Sequence, residues 1–365
     1  MTRIAIIGAG IVGSTAAYYL SKYPAYQVTV FDHGLGQATK AAAGIISPWF
    51  SKRRHKAWYR LARLGADFYP SLVADLAAAG RETSFYQQTG VYLLKKNEAK
   101  LAELYQLAQS RRQESPLIGQ LSLHSQSQVT ERFPQLAGFE EALYASGGAR
   151  VEGAELTRTL LDASGASLVT ERVDLQVGET TYVVGGQPFD QVILACGAWL
   201  GQLLNPLGYE VDVKPQKGQL QDYFFDHLAT ETYPVVMPEG ELDIIPFAQG
   251  KISVGASHEN DRGFDLSLDS AILAKLETEA LSYYPLLTAA KSKAQRVGIR
   301  AYTSDFSPFF GQVPHLPGVY AVSGLGSSGL TTGPLLAKNL VDLLVTGECL
   351  LPVTDYPIDR YIVKR

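Results

Sequence analysis

Three glycines, Gly8, Gly10 and Gly13, stand in the order G-x-G-x-x-G, and an acid, Asp32, follows nineteen residues after the last of them. This spacing carries phosphate-binding chemistry. Gly8 permits a tight turn, Gly10 lets a pyrophosphate approach the backbone, and Gly13 lets a helix pack close to a strand. The free N–H groups at the helix start then meet the phosphates, and the Asp32 carboxylate accepts hydrogen bonds from a ribose. A second segment of the same kind, Ser323-Gly324-Leu325-Gly326-Ser327-Ser328-Gly329-Leu330-Thr331-Thr332-Gly333-Pro334, lies near the other end of the chain. It sets a row of backbone N–H groups and hydroxyls at a helix start, which suits an anionic group. A single NAD needs one such turn. Two of them suit FAD, with one turn on the pyrophosphate and the other facing the O2/N1 edge of the flavin, where negative charge develops on reduction.

The elements that position these residues are legible around them. The apolar run Ile4 to Ile7 reads as a strand, and Ala16, Ala17 and Leu20 have helical spacing. Pro24 is a break, and Val28 to Phe31 is a second strand ending on the acid. The small-residue segment Ala41 to Pro48 leaves room for a flat ligand, or equally for a close helix–strand contact. Apolar positions from 56 to 79 predict a helix that Pro70 kinks or restarts. Val91–Leu94 reads as a strand, Asn97–Arg112 as a capped helix, and 128–133 as a short helix stopped by Pro134. An amphipathic helix follows Gly153. Residues 191–195 form a buried strand that runs into the turn Cys196–Trp199, which returns the chain to the nucleotide domain.

Short β-like runs at 220–225, 235–237, 244–246 and 252–254 predict a mixed or antiparallel sheet in a second domain. A helix from about 268 to 284, a strand at 320–323 and a helix at 332–344 complete the chain. The expected fold class is α/β. A Rossmann-like FAD-binding domain (1–84, 140–208 and 296–365) is interleaved with an α+β substrate domain (85–139 and 209–295) that contains the mixed or antiparallel sheet.

The whole chain of 365 residues, with 46% hydrophobic and 19% charged residues, is long enough for two cores. A net charge of −4 offers nothing to nucleic acid, and Lys52-Arg53-Arg54 reads as a solvated helix approach. Two distant cysteines, Cys196 and Cys349, have no metal-ligand spacing and suit a reducing cytoplasm. Neither a signal peptide nor a membrane-spanning run is evident, so the expectation is a cytoplasmic protein with no metal, membrane or nucleic-acid partner.

The chain resembles the D-amino acid oxidase/glycine oxidase/sarcosine oxidase family of FAD-dependent oxidoreductases. Six segments in order carry the resemblance: IIGAGIVGSTAAYYL with Asp32, KAAAGIISP, ACGAW, PQKGQL, GIRAYTSDFSPFFG and SGLGSSGLTTGP. Within that family it looks closest to glycine-oxidase-like and aminoacetone-oxidase-like flavoproteins of lactic-acid bacteria. The resemblance implies a non-covalent FAD, because the neighbourhood of Arg300 has no cysteine to carry the flavin. It puts Ile11 and Val12 with the glycine turn on the pyrophosphate, and Asp32 and His33 at the adenosine ribose. Thr39, Lys40, Ala43, Gly44 and Ile45 run beside the phosphates and flavin. Lys40 stands where many members have Ser or Thr. Val173 meets the adenine through its backbone, and Ala195, Gly197 and Trp199 flank the cofactor. Gly324, Gly326, Ser327, Ser328, Gly329 and Leu330 bind the pyrimidine end of the flavin.

For the substrate, the resemblance gives Arg300 to a carboxylate, a task that the guanidinium fork suits. The alternative is a structural arginine paired with Asp305. Ala301 replaces a frequent Pro. Tyr223, Tyr302, Phe247 and His258 are the further pocket candidates, although His258 reads more readily as a surface or loop residue, and Cys196 reads as packing. No catalytic triad can be assembled from the six histidines, so the cofactor itself carries the chemistry. The implied reaction is oxidation of a small amine, an amino acid or an amino ketone such as aminoacetone. Hydride leaves to the flavin, the imine hydrolyses to a carbonyl compound and ammonia, and O2 is reduced to H2O2. The alternatives are an FAD-dependent D-amino acid dehydrogenase with another electron acceptor, a non-catalytic flavin- or nucleotide-binding regulator, and an NAD-dependent dehydrogenase.

Overall fold

A computed structural model describes residues 1–53 and 55–365, so Arg54 of the basic cluster lies outside the described residues. The chain opens with strand β1 (Thr2–Ile7), helix α1 (Ile11–Leu20) and strand β2 (Tyr26–Phe31). β1 and β2 pair in parallel, with Ile7 opposite Phe31, so the glycine turn and Asp32 emerge side by side at their carboxyl ends. Ile4, Ala5 and Ile6 are wholly buried, as a parallel strand covered on both faces requires. All ten residues of α1 are buried too, because the helix is wedged between Gly153–Ser164 and the last long helix. The sheet runs in the order Phe309–Gln312, Val319–Ser323, Gln191–Leu194, β1, β2, Ser167–Val169. Only the Phe309–Gln312 edge strand is antiparallel. Ligands of such sheets sit beyond the carboxyl ends of the strands.

Helix α2 (Lys56–Ala78) is one continuous element of 23 residues. The expected break at Pro70 does not occur. Pro70 lies on the exposed side, while Leu61, Ala62, Ala66, Tyr69, Leu72 and Leu76 bury the opposite stripe and carry the helix past it. Tertiary burial outweighs the local penalty of about 3 kcal/mol.

The second sheet has eight strands. Its long pair is β3 (Lys214–Phe224) and β4 (Ser292–Tyr302), matched along their full length from Lys214↔Tyr302 to Phe224↔Ser292. Beyond β3 come Lys251–Gly255, Asp243–Pro246, Val235–Met237, Val91–Leu94, Glu141–Ala145 and Leu121–Ser125. Neighbours are antiparallel except Val235–Met237 with Val91–Leu94, the mixed, mostly antiparallel sheet that the short apolar runs predict. Two expected boundaries shift, since Glu141–Ala145 and all of β4 belong to this sheet and not to the nucleotide half. Helix α3 (Gly329–Thr346) closes the nucleotide half and starts three residues earlier than its apolar spacing predicts. Its first turn is fixed by α2: Tyr69 donates to the Leu330 carbonyl at 2.6 Å. A Cβ on Gly65 would stand 2.2 Å from the Thr331 carbonyl oxygen.

Candidate active site

The glycine turn has the geometry that its sequence requires. Gly8 has φ of +108°, and a Cβ on Gly13 would lie 1.8 Å from the Gly8 carbonyl oxygen. Asp32 is anchored by the Ala9 N–H at 2.6 Å and the Gly34 N–H at 2.6 Å, which aim its carboxylate across the end of the sheet. No side chain caps α1 at Gly10, although Thr39 Oγ1 accepts from the Ile11 N–H at 3.0 Å. α3 likewise starts at Ser328 without a side-chain cap. Both helix starts therefore have backbone donors available to a ligand.

Two cavities meet at these starts. The smaller, about 160 Å³, is lined by Gly8, Gly10, Ile11, Val12, Asp32 and His33 on one side. Val173, Ala195, Gly197 and Trp199 line its other side. The Trp199 ring packs edge-on to His33 and against Phe264, closing this end. The larger, about 740 Å³, is bounded by Ala43, Gly44, Ile45, Ser327, Ser328 and Leu330 and by the second sheet. Ala38, Thr39, Gly326 and Gly329 line both, so the two form one elongated path past both uncapped helix starts. The residues present fit an elongated dinucleotide such as FAD, whose phosphates the two uncapped helix starts suit.

Several expected contacts lie elsewhere. Lys40 is exposed and lines neither cavity; its carbonyl accepts from Arg296. Gly13 and Gly324 serve close packing and do not line the path. Tyr302 is buried beneath the second turn, where its hydroxyl accepts from the Ser327 N–H at 2.9 Å. It supports the turn and does not face the substrate cavity. Tyr223 points the other way altogether. Gly218 and Leu220 of β3 line the cavity, and strand alternation sends Tyr223 to the opposite face. There it packs in a core with Tyr92 and Leu276, bonded to Gln221 Nε2 at 2.6 Å. Phe247 is also core, with the Lys251 ammonium 4.7 Å from its ring centre. Cys196 lines the smaller cavity, and burial pushes its thiol up to about 12, which leaves it protonated and inert.

Arg300 faces the larger cavity. Its Nη1 donates to Gln216 Oε1 and to the Ser257 carbonyl, each at 2.9 Å. The guanidinium lies over Gly218, where a Cβ would come within 2.8 Å of it. Arg300 is not paired with Asp305, which is held instead by Arg360 at 3.0 Å and by the Tyr361 hydroxyl. Burial pulls the Arg300 charge below its usual range, a penalty that an anionic ligand would relieve. His258 stands at the rim with Nδ1 3.3 Å from Glu241. Burial and then the Arg300 charge push its imidazole down, favouring the neutral ring.

Sequence reasoning missed Lys95 and Asp243, which come to the same cavity, Lys95 from just past the strand Val91–Leu94 and Asp243 from the first position of Asp243–Pro246. Burial pushes the Asp243 carboxyl up to about 8, only partly opposed by Lys95. The one local signal was an acid opening an otherwise apolar strand, Asp243-Ile244-Ile245-Pro246.

The fold and this path define a flavin-dinucleotide-binding oxidoreductase. The chain belongs to the FAD dependent oxidoreductase (DAO) family, whose profile matches residues 3–343. It is 38% identical to the oxidoreductase YurR of Bacillus subtilis, with 98% of each chain covered. It is 30% identical to a glycine oxidase of Pseudomonas putida, with 97% of each covered. The crystal structure of an iminodiacetate oxidase from Chelativorans superposes with a TM-score of 0.91 at 33% identity, over 98% of each chain.

Proposed function

We propose that this protein is an oxidase of a small amine that carries a carboxylate, an α-amino acid or its N-substituted form. The observation that supports this reading is Arg300, a cavity-facing guanidinium that has no carboxylate partner among the described residues. A carboxylate supplies the missing charge through a bidentate contact, whereas aminoacetone would leave it unpaired. The relatives named glycine oxidase and iminodiacetate oxidase act on amines of this kind.

FAD, when bound, would accept the hydrogen from the substrate carbon with its electron pair and pass the electrons to dioxygen, giving H2O2. The protein's own residues orient and stabilise. Arg300 fixes the carboxylate, Gly218 leaves room for its guanidinium, and Gly298 lets the Ala38–Ala41 segment pack against β4 beside the cavity. The α3 start offers N–H groups to developing negative charge, and Leu93, Leu220 and Met237 limit water on the substrate side. The imine product then hydrolyses to a carbonyl compound and ammonia. We take the FAD as non-covalent, because the larger cavity is lined by neither cysteine of the chain.

The test is an anaerobic titration of the holoenzyme with glycine, D-alanine, sarcosine, iminodiacetate and aminoacetone, read by flavin absorbance. Bleaching by a carboxylate-bearing amine and recovery in air supports the proposal. Bleaching that air does not reverse, while a dye does, points to a dehydrogenase. Bleaching by aminoacetone alone overturns the carboxylate reading.

A further inference from the structure

The charged groups around the larger cavity are nearly all engaged with one another. Lys52 pairs with Glu103 at 3.0 Å and Lys100 with Glu239 at 2.7 Å. Glu241 stands 3.3 Å from His258. Among the described residues, two groups with no ion pair or side-chain hydrogen bond remain, Lys95 and Asp243, and Asp243 is the one carboxylate of the cavity left free.

The sheet register aims that carboxylate. Asp243 sits opposite Gly255, Gly255 opposite Leu220, and Leu220 opposite Arg296. Directly opposed residues share a face, so Asp243 rises from the same side as Leu220, Gly218 and Arg300. Between Asp243 and the Arg300 guanidinium lie Gly255, which the Leu220 side chain covers, and Gly218, which leaves room for the guanidinium, so Leu220 forms an apolar wall beside the span between the two charged groups. Asp243 is two strands across and two residues along from Gly218, over which the guanidinium lies, about 12 Å between Cα positions. The Asp243 side chain can cover about 3 Å of that distance, and an α-amino acid with a hydrogen bond of about 3 Å at each end spans the rest.

On the amino-acid reading above, we infer that Asp243 receives the substrate's ammonium group and takes one proton from it. One N–H bond breaks and one O–H bond forms on Asp243, so R–NH3⁺ and a carboxylate become R–NH2 and a carboxylic acid. The nitrogen lone pair is then free to drive out the hydrogen on the adjacent carbon. A carboxyl pushed up to about 8 is well matched to accept a proton from an ammonium group. Burial favours the acid form of Asp243 in the empty site, so its own proton leaves to solvent as the zwitterion binds, the carboxylate left behind takes the substrate's proton, and the net release is one proton.

The experiment is calorimetry on the holoenzyme at pH 7, in two buffers of different ionisation enthalpy. The ligands are 2-aminoisobutyrate, which has no hydrogen on its α-carbon to lose, and pivalate, its isostere with methyl in place of the amine. The wild-type protein should release close to one proton with the amino acid and none with pivalate. Asp243→Asn should weaken the amino acid about 10–100-fold, abolish the proton release, and change pivalate less than about threefold. Asp243→Glu should restore part of the preference. Equal weakening of both ligands, or an unchanged proton count in Asp243→Asn, overturns the inference and leaves the amino-acid reading intact. A wild-type protein that binds neither ligand overturns both.

Discussion

Replacing Arg300 by alanine removes a cavity-lining guanidinium whose Nη1 serves Gln216 and the Ser257 carbonyl at 2.9 Å. A charge-assisted hydrogen bond contributes about 1.5–3 kcal/mol, and a two-point contact with partial solvent replacement loses about 2–4 kcal/mol. At 1.4 kcal/mol per decade, KM for an amino acid should rise about 30–1,000-fold. For aminoacetone, which has no carboxylate, the rise should stay within about threefold. Leaving Gln216 and Ser257 unpaired destabilises the fold by about 1–2 kcal/mol, so Arg300→Met, which retains most of the aliphatic packing, is measured alongside. Peroxide release under air gives KM and kcat for both substrates, and thermal denaturation gives the stability change. Equal KM increases for the two substrates would show that Arg300 only braces the sheet, and the carboxylate assignment would fall.

Tyr302→Phe should keep the ring under the second turn and lose the acceptor of the Ser327 N–H. FAD release, read by fluorescence on dilution, should show about fivefold weaker retention, and unchanged retention would refute the support role. Gly65→Val should lower the melting temperature by several degrees, the cost of overpacking being about 1–3 kcal/mol or more, because a Cβ 2.2 Å from the Thr331 oxygen forces α2 and α3 apart. An unaltered melting temperature would show that the helices yield freely. Asp243 ordinarily titrates near 3.8 and is held near 8 in the fold. Between those values the unfolded chain has lost a proton that the folded chain keeps, so stability falls as pH rises, by at most about 1.4 kcal/mol per pH unit. Urea denaturation at several pH values should show a shallower fall in Asp243→Asn, and identical slopes would refute the buried carboxyl.

The nucleotide half was legible because its signals are local. Within residues 3 to 32, the turn, the helix start and the acid are fixed by backbone geometry a few residues apart; Gly8 and Gly13 make the tight turn and the close packing, and Asp32 emerges beside them, held by the Ala9 and Gly34 N–H groups. The second glycine turn was legible for the same reason. The continuity of α2 through Pro70 was not, since it comes from burial against α3, far away in sequence.

The family resemblance singled out Arg300, by the segment in which it stands, but the sequence left its partner open between a ligand and Asp305. That choice needed the third dimension, where Arg360 and Tyr361 occupy Asp305. Tyr223 and Leu220 are three residues apart on one strand, and the register of the sheet puts one in the core and the other on the cavity. A composition or motif argument contains nothing that distinguishes those faces. Lys95 and Asp243 come to the same cavity although nearly 150 residues separate them in the chain. The sequence by itself determined the cofactor-binding turns, because they depend on backbone conformation over short spans. The tertiary structure decided which side chains line the larger cavity, because that depends on strand register across the eight-stranded sheet.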